Sequence, residues 1–121
     1  MQPIYGRNGQ TVGWLNNDVV IYDRNNRCRA FVQNGAVYTY QGRHLGALDR
    51  GFFRDRQGHA VAFIDGAQGG PILPVPAIVP IPPIPSIPPI PPILPIPPIA
   101  PIAPIGSFNW SRVDWEGFLN G

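Results

Sequence analysis

Two hydrophobic rhythms divide the chain. Through residues 4–66 the apolar residues come in short runs rich in Val, Ile, Tyr and Phe, each closed by a polar or glycine-containing turn. No 3.6-residue apolar period of helical length occurs there. From Pro71 to Gly106 the rhythm becomes a strict period of three. Ile72, Val75, Ile78, Ile81, Ile84, Ile87, Ile90, Ile93, Ile96, Ile99, Ile102 and Ile105 are all β-branched, and proline fills most positions between them.

The first rhythm is itself a repeat. Arg7-Asn8-Gly9, Arg24-Asn25-Asn26, Tyr40-Gln41-Gly42 and Arg56-Gln57-Gly58 recur at spacings of 17, 16 and 16 residues. After each comes a small residue followed by an apolar pair: Gly13-Trp14-Leu15, Ala30-Phe31-Val32, Gly46-Ala47-Leu48 and Ala62-Phe63-Ile64. A second turn follows, at Asn16-Asn17-Asp18, Asn34-Gly35, Arg50-Gly51 and Asp65-Gly66. Asn-Gly and related pairs supply the positive φ of tight hairpin turns. Each unit therefore reads as two short strands, and four units give about eight strands. A unit this small cannot bury a face alone and must pack on its siblings. The expected fold class is all-β: four β-hairpin repeats around a pseudo-fourfold axis, then a polyproline II segment and a short C-terminal helix or turn.

Proline holds φ near −65° and biases the residue before it to extended backbone, so the second rhythm predicts a polyproline II helix with about three residues per turn. On such a helix a period of three is a straight apolar edge. Unbroken, the stretch would span roughly 110 Å, against roughly 30 Å for the preceding domain. Twelve apolar side chains in a line make a large exposed surface, so the stripe is expected to bury against something, most simply other copies. A stiff Pro-rich linker is the bland alternative, but no charged residue falls between Pro71 and Gly106. A membrane span is disfavoured because polyproline II leaves its carbonyls without internal partners.

These patterns divide the chain into residues 1–66 (β-hairpin repeats), 67–70 (glycine hinge), 71–106 (Ile/Pro rod) and 107–121 (aromatic C-terminal segment). In the last, Ser111 and Asp114 have the spacing of a helix start. Trp115, Phe118 and Leu119 would share one face of a short helix, marginal alone. With Phe108 and Trp110 they form a candidate docking set, on this domain, on a neighbouring copy, or as a tag read by another protein.

Tyr22-Asp23-Arg24-Asn25, the Gly-Trp-Leu and Ala-Phe-Ile elements, and Gly69-Gly70-Pro71-Ile72-Leu73-Pro74 with its Ile/Pro tail resemble the four-fold β-flower family of small bacterial proteins. The resemblance covers residues 4–70 and extends to the tail. It implies four β-hairpins arranged like petals and carries no catalytic residues.

Composition narrows the function further. Net charge is +2, too small to argue for nucleic acid. All nine basic residues are arginine, a residue that packs well in interfaces. The lone Cys28 excludes an internal disulfide framework, and with His44 and His59 it makes a poor metal set. Its neighbours Arg27 and Arg29 would lower its pKa if close in space, but strand alternation favours a packed thiol. Asp23-Arg24 and Asp55-Arg56 occupy equivalent positions and read as turn caps or bridges between repeats. No phosphate loop, nucleophile elbow or zinc spacing occurs. No metal, cofactor or catalytic residue is expected, and no cleavable signal peptide is visible, which leaves a cytoplasmic location or a leaderless export route open. The expectation is a non-enzymatic structural protein that self-assembles into a homo-oligomer or filament through the Ile stripe. The alternative is a binding or exported-effector module whose tail docks on a protein partner.

Overall fold

The computed structural model describes residues 2–71 and 106–121. Eight strands follow one another: β1 (Gln2–Gly6), β2 (Thr11–Asn16), β3 (Val20–Asp23), β4 (Cys28–Gln33), β5 (Ala36–Thr39), β6 (His44–Asp49), β7 (Phe52–Arg54) and β8 (Ala60–Phe63). Each pairs antiparallel with the next, and β8 pairs with β1, so the sheet closes into a barrel. Closure removes the free edges that strands this short would otherwise expose. The only helix among the described residues is α1 (Trp115–Leu119). The all-β expectation with a short C-terminal helix holds. The proposed rod, with its isoleucines and Val75, lies outside the described residues.

Turn chemistry alternates between the two barrel ends. At one end Asn34 and Gly35 (φ 52° and 78°) and Arg50 and Gly51 (φ 49° and 90°) are both left-handed, as a two-residue turn matching strand twist requires. At the other end the four turns share one hydrogen-bond pattern. The Asp23 N–H donates to the Arg27 carbonyl at 3.0 Å and the Asn26 N–H to the Asp23 carbonyl at 3.0 Å; the same pairs recur at Gly6, Thr39 and Asp55.

Just before each of these turns the register slips, between Ile4/Tyr5, Ile21/Tyr22, Val37/Tyr38 and Phe53/Arg54. The partner strand carries one extra residue at each slip: Val12, Arg29, Leu45 and Val61. Such bulges bend the strand and raise its twist, which helps so small a barrel close.

Alternation sorts the side chains into two sets. Ile4, Leu15, Ile21, Ala30, Val37, Phe53 and Ala62 are buried in one continuous core inside the barrel. The alternate positions form three separate outer clusters, around Trp14 and Tyr22, around Phe31 and Tyr38, and around Phe52 and Phe63. The outer wall of this barrel is thus aromatic rather than polar.

The helix start departs from the sequence expectation in one detail. Asp114 is the N-cap and accepts the Gly117 N–H at 2.8 Å, while Ser111 lies outside the helix. Its hydroxyl instead donates to Asp55 Oδ2 at 2.6 Å. A charge-assisted bond of that kind is the stronger one, so Ser111 serves the barrel contact rather than the cap. No helix among the described residues is long and apolar enough to cross a membrane.

Candidate functional site

The C-terminal helix plugs one mouth of the barrel. Trp115, Phe118 and Leu119 are buried and belong to the same core as the inward residues of the strands. Phe53 meets Trp115 edge-on at 5.2 Å, and Trp115 stacks with Phe118 at 5.6 Å. Small residues of the strands face the plug, and at two of them the next strand leaves no space for a side chain: a Cβ at Gly13 would overlap the Tyr22 carbonyl oxygen and one at Gly46 the Arg54 carbonyl oxygen. A Cβ added at Gly13 would come to 3.5 Å from the Trp115 indole nitrogen, and one at Gly46 to 3.0 Å from the Phe118 ring. The equivalent positions in the other two repeats are Ala30 and Ala62. The bulge residues Leu45 and Val61 join that core, with Val12 packed against it.

The fourth bulge residue, Arg29, ties plug and wall together electrostatically. Its guanidinium bonds Asp23 at 3.1 Å, Glu116 at 3.0 Å and the Asn120 side chain at 2.9 Å. Asp23 is 1% exposed and also accepts the N–H groups of Asn25 and Arg27. Burial alone would push this carboxyl up. The Arg27 N–H, the Arg29 guanidinium and the Asn25 N–H outweigh it and hold Asp23 below the usual carboxylate range. Asp55, in the equivalent turn, accepts the Gln57 and His59 N–H groups, so the two acidic residues cap turns.

A second junction lies where the chain leaves and rejoins the barrel. Arg54 is 2% exposed. Its guanidinium donates to the carbonyls of Gly58 and Ser107, both at 2.8 Å, and of Gly69 at 2.9 Å. Gly69 precedes the Ile/Pro stretch and Ser107 follows it, so one side chain holds both ends. The backbone approaches closely: a Cβ at Gly106 would sit 2.7 Å from the Arg54 guanidinium carbon, and one at Gly70 2.6 Å from the Phe52 ring. Arg54 also lies 5.3 Å above that ring, with Asp49 at 3.6 Å from its Nε. Burial lowers the Arg54 pKa against the pull of Asp49, yet a guanidinium stays charged at neutral pH. The returning chain pairs with the barrel through Ser107 N–H to Gly58, Ala60 N–H to Asn109 and Ser111 N–H to Ala60.

Among the candidate docking residues, Trp115, Phe118 and Leu119 therefore fill the socket, and Trp110 packs outside the barrel on Phe52 and Phe63. Phe108 does neither: it is 74% exposed. Ile72, Val75 and the rest of the stripe lie outside the described residues. Sequence reasoning did not pick out Arg54 or the four bulge residues. Arg54 had a visible signal, because it stands at the repeat position held elsewhere by Tyr5, Tyr22 and Tyr38.

The polar groups here serve attachment. His59 Nδ1 lies 2.8 Å from the Ser107 hydroxyl, while Asp55 takes Ser111 and turn amides. No Asp–His–Ser relay forms among these three, since Asp55 meets His59 through its backbone N–H. The Cys28 thiol is pushed up by burial and by Asp23, against a hydrogen bond from Tyr22. The neighbouring guanidinium groups of Arg27 and Arg29 are both engaged by Asp23, and burial is the largest influence on the thiol, in keeping with the packed cysteine that strand alternation favours. Burial, with Cys28 and Tyr22 nearby, pushes the Tyr40 phenol up to about 12. No group of three or more His, Cys, Asp or Glu arranged to hold a metal ion occurs among the described residues.

A family model described as 4-fold beta flower protein matches residues 2–119. No match was found among curated proteins or among solved structures.

Proposed function

Since the chain belongs to the 4-fold beta flower protein family, we propose that it is a non-enzymatic structural protein that assembles with other copies of itself. The petals of this reading are four strand pairs related by a pseudo-fourfold axis. The inward series Ile4, Ile21, Val37, Phe53 and Leu15, Val32, Leu48, Ile64 both step by 17, 16 and 16 residues. Residues 71–106 are polyproline II, with the Ile/Val edge as the associating surface.

The observation that supports assembly most is the plug. A helix of five residues sits in the barrel core, joined to β8 through the long Ile/Pro stretch. Residues 72–105 have a contour of about 105 Å, several times the width of the barrel domain. The arm carrying the plug is long enough to fill the socket of a neighbouring copy with identical contacts. Exchange of an identical element is a low-cost route to association, and head-to-tail exchange that does not close gives a filament. The binding-module alternative keeps one observation in its favour, the exposed Phe108, which offers a partner protein an aromatic anchor.

Electron microscopy of the purified protein tests the proposal, beside a variant with Ile84, Ile87, Ile90 and Ile93 all replaced by Ser. Oligomers or fibres are expected for the parent and their loss for the variant, with the barrel's β-sheet signal retained. Isolated particles of one size for the parent, or unchanged assembly of the variant, would overturn it.

A further inference from the structure

We infer that the aromatic outer wall of the barrel is the docking surface for residues 72–105, which encircle it once as an apolar belt. The inference uses the polyproline II reading of that stretch and describes the closed copy, before any exchange of arms between copies.

The wall has the wrong chemistry for water. Its cross-strand pairs at one level are Trp14 with Tyr22, Phe31 with Tyr38, and Phe63 with Tyr5. A ring on the outside of a single-layer barrel has sheet on one side only. Yet Phe31 is 0% exposed, Tyr22 1% and Tyr38 3%. Among the described residues, the apolar neighbours of Phe31 and Tyr22 are side chains of the same wall and its turns. Lateral neighbours cannot cover an outward face, so a further layer is required. Monomeric proteins rarely leave large apolar patches of this kind uncovered.

The two ends of the Ile/Pro stretch say what the layer is. The fourth equivalent pair is Ala47 with Arg54, the one place where the wall is not aromatic. Arg54 there holds Gly69 and Ser107 together. The stretch thus departs from one point of the barrel's circumference and returns to the same point, which a straight rod cannot do.

Its length fits a single circuit. Eight strands about 4.8 Å apart, tilted by about 40°, give a backbone circumference of about 50 Å and a radius of about 8 Å. A layer packed about 10 Å outside that radius follows a path of about 110 Å. Residues 72–105 supply about 105 Å at 3.1 Å per residue. The belt then meets a new repeat about every nine residues, so three Ile or Val positions face each petal. Period three on the belt matches fourfold order on the barrel.

The midpoint is where this geometry is sharpest. Ile87 lies halfway along the belt, hence opposite Arg54 on the barrel, in either direction of travel. The wall opposite the Arg54 repeat is that of Trp14 and Tyr22, where Cys28 pairs across from Tyr22. In the full-length chain, Ile87→Cys or Ile90→Cys should form a disulfide with Cys28 under mild oxidant, at least about tenfold faster than Val75→Cys, and not in a Cys28→Ser background. A cross-link at monomer mass means the belt belongs to the same chain; one at dimer mass means a neighbour's arm supplies it. The first supports the belt; the second would overturn a circuit whose two ends share one Arg54. Equal rates at positions 75, 87 and 90, or no cross-link at any of them, would overturn it, while sedimentation would still report on self-assembly separately. The unaltered chain gives a second readout. Hydroxyl-radical labelling of Trp14, Tyr22 and Tyr38 should stay near background while Phe108 labels strongly. Labelling of the wall at the rate of Phe108 would contradict the inference.

Discussion

Single positions in this protein are set by what packs against them rather than by the strand that carries them. Gly46 shows it. Its place in a strand would tolerate alanine on propensity alone, but an added Cβ would overlap the Arg54 carbonyl oxygen and press on Phe118. Gly46→Ala should therefore lower unfolding free energy by about 1–3 kcal/mol in denaturant titration. The small-residue rhythm at positions 13, 30, 46 and 62 was legible in the sequence. The choice of glycine over alanine was not, because it depends on how closely the next strand's backbone passes, the Tyr22 carbonyl at Gly13 and the Arg54 carbonyl at Gly46. Asp23 behaves similarly. Asp23→Asn keeps an oxygen for the turn amides but leaves Arg29 half-paired, and should cost about 2 kcal/mol. Acid should weaken the fold in two stages. His44 is held below its ordinary 6.5, first by burial and further by Arg56, against a Gly46 backbone hydrogen bond. Both groups have depressed folded pKa values. Stability is therefore full above 6.5, falls as His44 protonates preferentially in the unfolded chain, and falls again below 3.8 as Asp23 does. Urea titrations at pH 8, 5 and 3 should give successively lower midpoints, and a flat profile would contradict this assignment.

Among the elements, α1 is the one whose existence depends on its socket. Five residues cannot sustain a helix in water. Its stability comes from Trp115, Phe118 and Leu119 in the core, so Trp115→Ala should cost about 3–5 kcal/mol. Amide exchange at Phe118 and Asn120 should then rise while the strands stay protected. Asp114→Ala should cost about 1 kcal/mol through the lost cap. The apolar spacing of these three residues was readable in advance, as was their need for a surface. That the surface is the barrel's own interior was not, because no local pattern records which mouth of a barrel is left open. The strands were legible for a different reason: each tight turn has its own chemistry, repeated four times. The bulges were hidden, since Val12, Leu45 and Val61 look like ordinary strand residues and only the pairing register reveals the extra position.

At the scale of the whole molecule, two apolar surfaces that lie apart in the sequence are brought into one proposal, an aromatic wall and an isoleucine edge. Their match depends on register. One alanine inserted after Ser86 would rotate every later isoleucine by about 120°, with composition and charge almost unchanged. Inserting Ile-Pro-Pro at the same site would keep the line and add roughly 9 Å of slack. The first insert should lower the thermal midpoint and impair assembly more than the second. A simple linker would tolerate both equally. The claim that matters most is that the arm carrying this edge and the plug joins one copy to the next. Sedimentation velocity of the intact protein, from micromolar upward and after refolding at high concentration, tests it directly. Species at multiples of the 13.2 kDa chain mass that grow with concentration are the predicted result. A single 13.2 kDa species under every condition would contradict it.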